Sequence, residues 1–348
     1  MVSHTKSPIN PAAHEPAREL KSTLYNVLAN NPLPSHDNLK DALENEYPSL
    51  PILPALVASC NPISPKDIVL SKYGRKVHKG SILGVQQKIK TEFVINVFDN
   101  MGFPNLPIDD VMVNEYCAPL DNCQTVQLEA IKVDFAECVE FEELTSSQSQ
   151  STLWHEIRSN RLTASKIGRI RSRRDDFGKL LTDLKSTRKV CTAAMKRGIE
   201  NEPLAASQYA SLKNNNVNLY PSGVIVSPYC PWLAASPDRK VYDPTRINEP
   251  FGLLEIKCPN VASVLEIKDG SLRRDGDSGK LNLNKNHMYY HQIQMQLAVT
   301  GLPWCDFFVW TENDEDYHLE TVRFDKDSWQ ITKNKADMFY FDYFLSKS

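Results

Sequence analysis

The sequence predicts an α/β fold, because short apolar runs with strand character alternate with longer helical stretches in its second half. The runs are bounded by turn residues and are too short for helices. The predicted strands cover residues 223–227, 233–236, 253–258, 281–283 and 306–311. The predicted helices cover residues 153–161, a segment from 166 onward, 176–208, 287–300 and 327–345, and Gly301 supplies a stop signal for the fourth.

The composition is that of an ordinary globular protein, with 348 residues, 41% hydrophobic residues and 24% charged residues. A net charge of −3 gives no global sign of nucleic-acid binding, so any such function must rest on local charge. The eight cysteines include no CxxC pair, which favours reduced thiols. With no signal-peptide core and no membrane-length apolar run, we expect a soluble intracellular protein, and nucleus and cytoplasm are not distinguished.

The polar stretch 145–152 is the best domain boundary, since it separates two parts of different character. Residues 1–150 are predicted to be an accessory region of unknown role with a flexible start. Residues 151–348 contain the strands and helices described above and every pattern that suggests chemistry.

A charged cluster on one apolar run is the main functional signal. Asp238 lies at a turn, and Glu255 and Lys257 are two residues apart in the run 253–258. Residues i and i+2 of a strand project to the same face, so Glu255 and Lys257 point one way and Ile256 points into a core. A hairpin-like return from Asp238 would place its carboxylate beside Glu255. Because unpaired charge resists burial, Mg²⁺ or Mn²⁺ would offset the cost of this arrangement.

Each of these residues also has an ordinary structural explanation. Asp238 could cap a turn, and Glu255 with Lys257 could form an ion pair at a sheet edge. The order of the patterns favours catalysis, since a helix with Glu202 precedes them and a glutamine-containing helix with Gln292 follows. On that last helix Tyr289, Gln292 and Gln296 share one face, and Gln294 is expected at the surface.

This order resembles that of the PD-(D/E)XK nucleases, which implies a restriction-endonuclease-like core with a mixed sheet flanked by helices. Its details resemble the lambda-exonuclease or YqaJ viral recombinase family over about residues 153–348. The matching segments are Trp154 to Ser165, Ser236-Pro237-Asp238, Leu254-Glu255-Ile256-Lys257-Cys258-Pro259 and Tyr290-His291-Gln292-Ile293-Gln294.

The resemblance implies five catalytic side chains, which are Glu202, Asp238, Glu255, Lys257 and Gln292. Asp238 and Glu255 would bind Mg²⁺ or Mn²⁺ together with the backbone carbonyl of Ile256, and Glu202 would join through metal or water. Lys257 would orient or activate the attacking water, and Gln292 would lie against that water and the lysine.

The resemblance also implies a site for a DNA end. Arg158 and Ser165 would grip the 5′-terminal phosphate, and Ser236 is expected to help. Between Arg158 and Arg197 there are thirteen Lys or Arg residues and three acids, and such a basic segment attracts the phosphate backbone.

The charged cluster and the resemblance together predict a metal-dependent deoxyribonuclease, and the resemblance implies a 5′-to-3′ exonuclease on duplex DNA that acts in recombination or repair. An endonuclease of the same fold and a non-catalytic DNA-binding or assembly module are the alternatives. DNA is the expected partner and no membrane is expected. A homo-oligomer and a single-strand annealing or recombinase partner are left open.

Overall fold

The computed structural model describes residues 68–70, 76–78, 95, 97–98, 101–108, 119–185, 192–313 and 315–345. The chain divides into two compact units, Met1–Gln87 and Lys88–Ser348. In the first unit, strands β1 (Ile68–Leu70) and β2 (Lys76–His78) form an antiparallel pair. The flexible start predicted near the N-terminus lies outside the described residues.

The second unit contains eight α-helices within its described residues. They are α1 (Asn122–Glu129), α2 (Phe135–Leu144), α3 (Thr152–Ser159), α4 (Ala164–Ser172), α5 (Phe177–Lys185), α6 (Ala193–Leu212), α7 (Met288–Thr300) and α8 (Lys326–Phe339). Short 3₁₀-helices cover Gln148–Gln150 and Val264–Glu266, and a π-helical turn, Tyr340–Phe344, continues α8.

The strands in the described part of this unit form three sheets. They are β3 (Leu162–Thr163), β4 (Asn218–Tyr220), β5 (Ile225–Val226), β6 (Leu233–Ala235), β7 (Arg239–Tyr242), β8 (Phe251–Lys257), β9 (Leu272–Arg274), β10 (Leu281–Leu283), β11 (Trp304–Trp310) and β12 (Tyr317–Arg323). The main sheet has the order β12-β11-β8-β7-β4, with β8 and β11 parallel and its other pairs antiparallel. Strands β3-β6-β5 form a small sheet and β9-β10 a hairpin.

Successive side chains of β8 and β11 point to opposite faces of the main sheet, and each face carries an apolar cluster. Leu254 and Ile256 join Phe308 in a cluster with α6 residues such as Tyr209. Leu253 and its neighbours on β11 belong instead to the larger cluster that includes α7 and α8. The predicted α/β class, with a mixed sheet flanked by helices, is confirmed.

Helix α7 has well-defined ends. His287 is its N-cap and its Nδ1 accepts the Tyr289 N–H at 3.3 Å, while Gly301 takes a φ of 76° at the C-cap, as the predicted stop requires. The expectation that Gln294 lies at the surface is wrong. Its side chain is fully buried, and the cost of burial is offset because its amide donates to the Arg323 carbonyl and accepts from the Asp325 N–H.

The helices before residue 150 pack on the sheets of the same unit. Lys240 forms an ion pair with Glu142 at 2.9 Å, and Thr145 Oγ1 accepts the Val224 N–H at 2.7 Å. The division of the structure falls between residues 87 and 88, whereas the sequence suggested a linker at 145–152. The polar residues of that segment form backbone and side-chain contacts, which composition alone does not reveal.

In the described part of the chain, no helix is both long enough and apolar enough to cross a membrane.

The close approach of β8 and β11 at Gly252 gives a stability test. A Cβ at Gly252 would overlap the indole of Trp304, which is fully buried, so Gly252→Ala should lower the free energy of unfolding by about 1–3 kcal/mol. Urea denaturation followed by tryptophan fluorescence measures the change.

Gly198→Ala is the matched control, since among the described residues no atom outside its chain neighbours and the backbone of its own helix lies within 4 Å of its Cβ position. As Gly198 lies inside α6, alanine should leave stability unchanged or raise it by about 0.5–1 kcal/mol. Equal unfolding midpoints for Gly252→Ala and the wild type would contradict the packing argument.

Candidate active site

The turn between β6 and β7 places Asp238 at the end of β8. Strand β7 begins at Arg239, which lies opposite Leu254, so β8 extends beyond the start of its antiparallel partner. Beyond that point the Asp238 carboxylate supplies the acceptor for the β8 backbone, because its Oδ2 accepts the Ile256 N–H at 2.7 Å. The predicted hairpin-like return that brings Asp238 back to β8 is therefore present, and the Asp238 side chain makes the contact with β8.

The Glu255 carboxylate lies on the face of β8 that meets α7. It is 1% exposed, and three side chains donate to it. Gln292 Nε2 donates to Oε1 at 2.5 Å, Gln296 Nε2 donates to Oε2 at 2.7 Å, and Lys257 Nζ also donates to Oε1. The structure thus brings Glu255, Lys257 and Gln292 together, and both glutamines come from one face of α7 as the spacing predicted.

Glu202 reaches the same region from α6. Its Oε1 accepts from Arg239 Nη1 at 2.5 Å, and the same guanidinium nitrogen donates to the Asp238 carbonyl. Arg239 is only 3% exposed, and its Nε and Nη2 have no hydrogen-bond partner in the described part of the chain. Arg239 was not among the predicted site residues. Its position directly after Asp238, at the start of a strand beside three acids, is the signal that could have identified it.

Burial and mutual repulsion perturb these groups. Burial raises the pKa of Asp238 well above its usual range, and the charges of Glu255 and Glu202 add to the effect, while Lys257 opposes it. Burial alone would lower the pKa of Lys257, but the carboxylates of Glu255 and Asp238 raise it above its ordinary value. Three carboxylates here face two cations, Lys257 and Arg239.

A hard divalent cation fits this donor set. The carboxylates of Asp238 and Glu255 and the carbonyl of Ile256 are oxygen ligands, and a cation would offset both the burial and the repulsion that raise the Asp238 pKa. Among the described residues, no three His, Cys, Asp or Glu side chains group closely enough to form a metal site by themselves. Backbone oxygen and water would have to complete the ligand set.

The three residues predicted to bind a 5′-phosphate lie near this cluster. Ser236 Oγ accepts from Arg158 Nη1 and from Trp154 Nε1, each at 3.1 Å, and the guanidinium of Arg158 stacks on the Trp154 ring at 3.8 Å. Burial lowers the pKa of Arg158 to about 10. Ser165, in the first turn of α4, lies 3.4 Å from Thr163 Oγ1.

A cavity of about 800 Å³ lies beside this cluster. Its wall contains Glu202, Asp238, Lys257 and Gln292 from the predicted catalytic set, together with Ser165. The other lining residues are Gln148, Ser149, Trp154, His155, Ala194, Met195, Gly198, Ile199, Ile256, Cys258, Pro259, Ile267, Asp269, Ser271, Tyr289 and Val309. Gln148 precedes every sequence motif of the predicted site and was not among the predicted residues.

Several solved structures resemble this chain. The alkaline exonuclease LHK-Exo from Laribacter hongkongensis, in complex with dAMP, is 26% identical, with 55% of this chain and 92% of that chain covered and a TM-score of 0.44. A SOX–DNA complex is 12% identical, with 58% and 69% covered and a TM-score of 0.41. A phage-related exonuclease from Haemophilus somnus 129PT is 10% identical, with 53% and 93% covered and a TM-score of 0.36. No curated protein matches the chain.

The family comparison covers the part of the chain that carries the motifs. Residues 153–303 match the model of the YqaJ-like viral recombinase domain, and this segment includes all the predicted site residues. The resemblance inferred from the motifs is confirmed over that range, while residues 304–348 lie beyond the match. The segment from 153 to 303 is therefore similar to the YqaJ-like viral recombinase domain.

Proposed function

We propose that this chain is a metal-dependent deoxyribonuclease that hydrolyses the phosphodiester bonds of duplex DNA as a 5′-to-3′ exonuclease. One observation carries the proposal. A buried carboxylate, Glu255, is held by Lys257, Gln292 and Gln296. Lys257 and Gln292, together with Asp238, lie in the wall of a cavity large enough for a nucleotide. The match to the YqaJ-like domain supports the same reaction class.

Mg²⁺ or Mn²⁺ would be held by Asp238, Glu255 and the carbonyl of Ile256, with Glu202 reached through water. When bound, such an ion lowers the pKa of a coordinated water and withdraws charge from phosphoryl oxygens. The protein's own part is orientation. Gln292 and Gln296 donate to the two oxygens of Glu255 and so hold its carboxylate in one orientation.

Lys257 supplies positive charge near the reacting phosphate. Its ammonium donates to Glu255 and lies 4.9 Å from the centre of the Tyr289 ring, and an ammonium has three donors. The remaining donors can reach a water or a phosphate oxygen, where they orient the nucleophile and stabilise developing negative charge.

The DNA end would enter beside Trp154. A 5′-phosphate would compete with Ser236 for the guanidinium of Arg158, and Ser165 at the start of α4 would add a hydroxyl donor. An exonuclease of this kind would act in recombination or repair.

The acids on α6 allow a matched test of the site. Glu202→Gln should reduce cleavage of a 5′-phosphorylated duplex in Mg²⁺ by about 10-fold or more, because it weakens the contact with Arg239 and removes a charge from the site. Glu200→Gln, two residues away on an exposed face, should cleave like the wild type.

Asp238→Asn and Lys257→Ala should each lose at least about 100-fold in the same assay, and EDTA should abolish wild-type cleavage until Mg²⁺ is restored. Initial rates on a labelled duplex measure all of these effects. Equal cleavage by the wild type and these variants would reject the assigned site. A wild type that binds duplex but never cleaves it in Mg²⁺ or Mn²⁺ would favour the non-catalytic module.

The preference for a phosphorylated end tests Arg158 separately. The wild type should digest 5′-phosphorylated ends faster than 5′-hydroxyl ends, and Arg158→Gln should reduce that ratio by roughly 10- to 100-fold, since it deletes a charged hydrogen-bond donor. The ratio is informative because general damage to the site slows both substrates alike.

Arg323→Gln, an exposed arginine on β12 that pairs with Glu249, is the control and should leave the ratio unchanged. If the wild type nicks a covalently closed circular duplex as readily as a linear one, the chain is an endonuclease instead.

A further inference from the structure

The turn that carries Asp238 is held by a side chain that lies outside the YqaJ-like domain. Gln148 Nε2 donates to the carbonyl of Pro237 at 2.8 Å and to the carbonyl of Ser222 at 2.9 Å. The first of these carbonyls belongs to the peptide that enters Asp238. A single amide group therefore links the approach to β5 with the residue that precedes the buried acid.

Contacts hold the Asp238 turn on both sides. Arg239 donates to the Asp238 carbonyl, and the Asp238 carboxylate accepts the Ile256 N–H. Before the turn, Trp154 and Arg158 donate to Ser236 Oγ. Gln148 is the only one of these donors that precedes residue 153, where the match to the family domain begins.

The backbone of Gln148 is also unusual. Its φ is 47°, in the left-handed region that residues other than glycine rarely adopt. The 3₁₀-helix Gln148–Gln150 starts there, and the Gln148 N–H donates to the Thr145 carbonyl at 2.8 Å. This conformation directs the long amide side chain toward Ser222 and Pro237. A strained residue at the wall of a site indicates a functional constraint.

Gln148 lies on two cavities at once. It lines the 800 Å³ cavity with Asp238 and Lys257. It also lines a small cavity of about 60 Å³ with Glu202, Asp238 and Arg239. No other side chain of the region before residue 150 combines this position with a bond to the Asp238 turn among the described residues.

We propose that Gln148 is a positioning residue for Asp238, so that a segment outside the YqaJ-like domain sets the geometry of the metal ligands. The inference rests on the proposed function, in which Asp238 holds the cation. Losing the amide would let the Pro237–Asp238 peptide rotate, and the carboxylate would then meet the cation less well. The substrate-binding contacts of Arg158 and Ser165 would be little changed.

The test uses the full-length chain with Gln148→Glu, which keeps the shape of the side chain and removes its two donors. Gln148→Gly is the second variant, since glycine adopts a φ of 47° freely and so keeps the turn while deleting the amide. Gln330→Glu is the matched control, because Gln330 makes an exposed bond to Asn334 on α8 and undergoes the same charge change.

Two readouts separate positioning from folding. Exonuclease kinetics on a 5′-phosphorylated duplex should give a kcat lowered by about 10-fold or more for both Gln148 variants, with KM for DNA within about twofold of the wild type. Mn²⁺ binding without DNA, followed by electron paramagnetic resonance, should be several-fold weaker. The control should match the wild type in kcat, KM and Mn²⁺ affinity.

The possible failures are distinct. If the wild type cleaves DNA and both Gln148 variants keep its kcat and its Mn²⁺ affinity, Gln148 has no positioning role although the proposed function stands. If kcat falls only together with a loss of folded protein, seen as a matching fall in Tm with Mn²⁺ affinity unchanged per folded molecule, the residue is merely structural. A wild type that neither cleaves DNA nor binds Mn²⁺ overturns the proposed function, and this inference with it.

Discussion

The burial of the Glu255 carboxylate is the constraint on which the rest of the site depends. A carboxylate with 1% exposure is costly unless its oxygens are fully bonded, and here Lys257, Gln292 and Gln296 supply the donors. Two of those donors lie on α7. The helix must therefore dock against β8 at one rotation and one height, so the acid fixes tertiary structure as well as chemistry.

The same strand specifies both the core and the site. Leu254 and Ile256 enter the cluster with α6, while Leu253 packs on the other face. A slip of one residue in β8 would exchange these faces and place Glu255 among apolar side chains. Two effects therefore fix the register of β8 against β11 and β7. One is the burial of its apolar side chains, and the other is the set of hydrogen-bond donors for Glu255 on the α7 face.

Sequence patterns predicted the strands, helices and site residues only where neighbouring residues along the chain carry the information. The continuous apolar run of β8 and the repeat of Gln292 and Gln296 at helical spacing identified a strand, a helix and their inner faces. Strands β7 and β12 were not predicted, because their sequences, Arg-Lys-Val-Tyr and Tyr-His-Leu-Glu-Thr-Val-Arg, are polar and become strands through pairing with neighbours. Likewise Gln148 and Arg239 act on the backbone carbonyls of the Asp238 turn, and no sequence spacing encodes such contacts.

The buried guanidinium of Arg239 completes the electrostatic argument. Leaving Nε and Nη2 without partners is unfavourable, so the cation persists in this position only because Glu202 and the neighbouring acids stabilise it. Even with Lys257 added, the acids outnumber the cations by one. The pKa of Asp238 is raised chiefly by burial, and the charges of Glu255 and Glu202 raise it further. Folding has therefore assembled a negative, desolvated cluster that remains unfavourable on its own. A ligand of positive charge that binds the folded chain and not the unfolded one would lower its free energy, which couples the stability of this site to the chemistry it is built to perform.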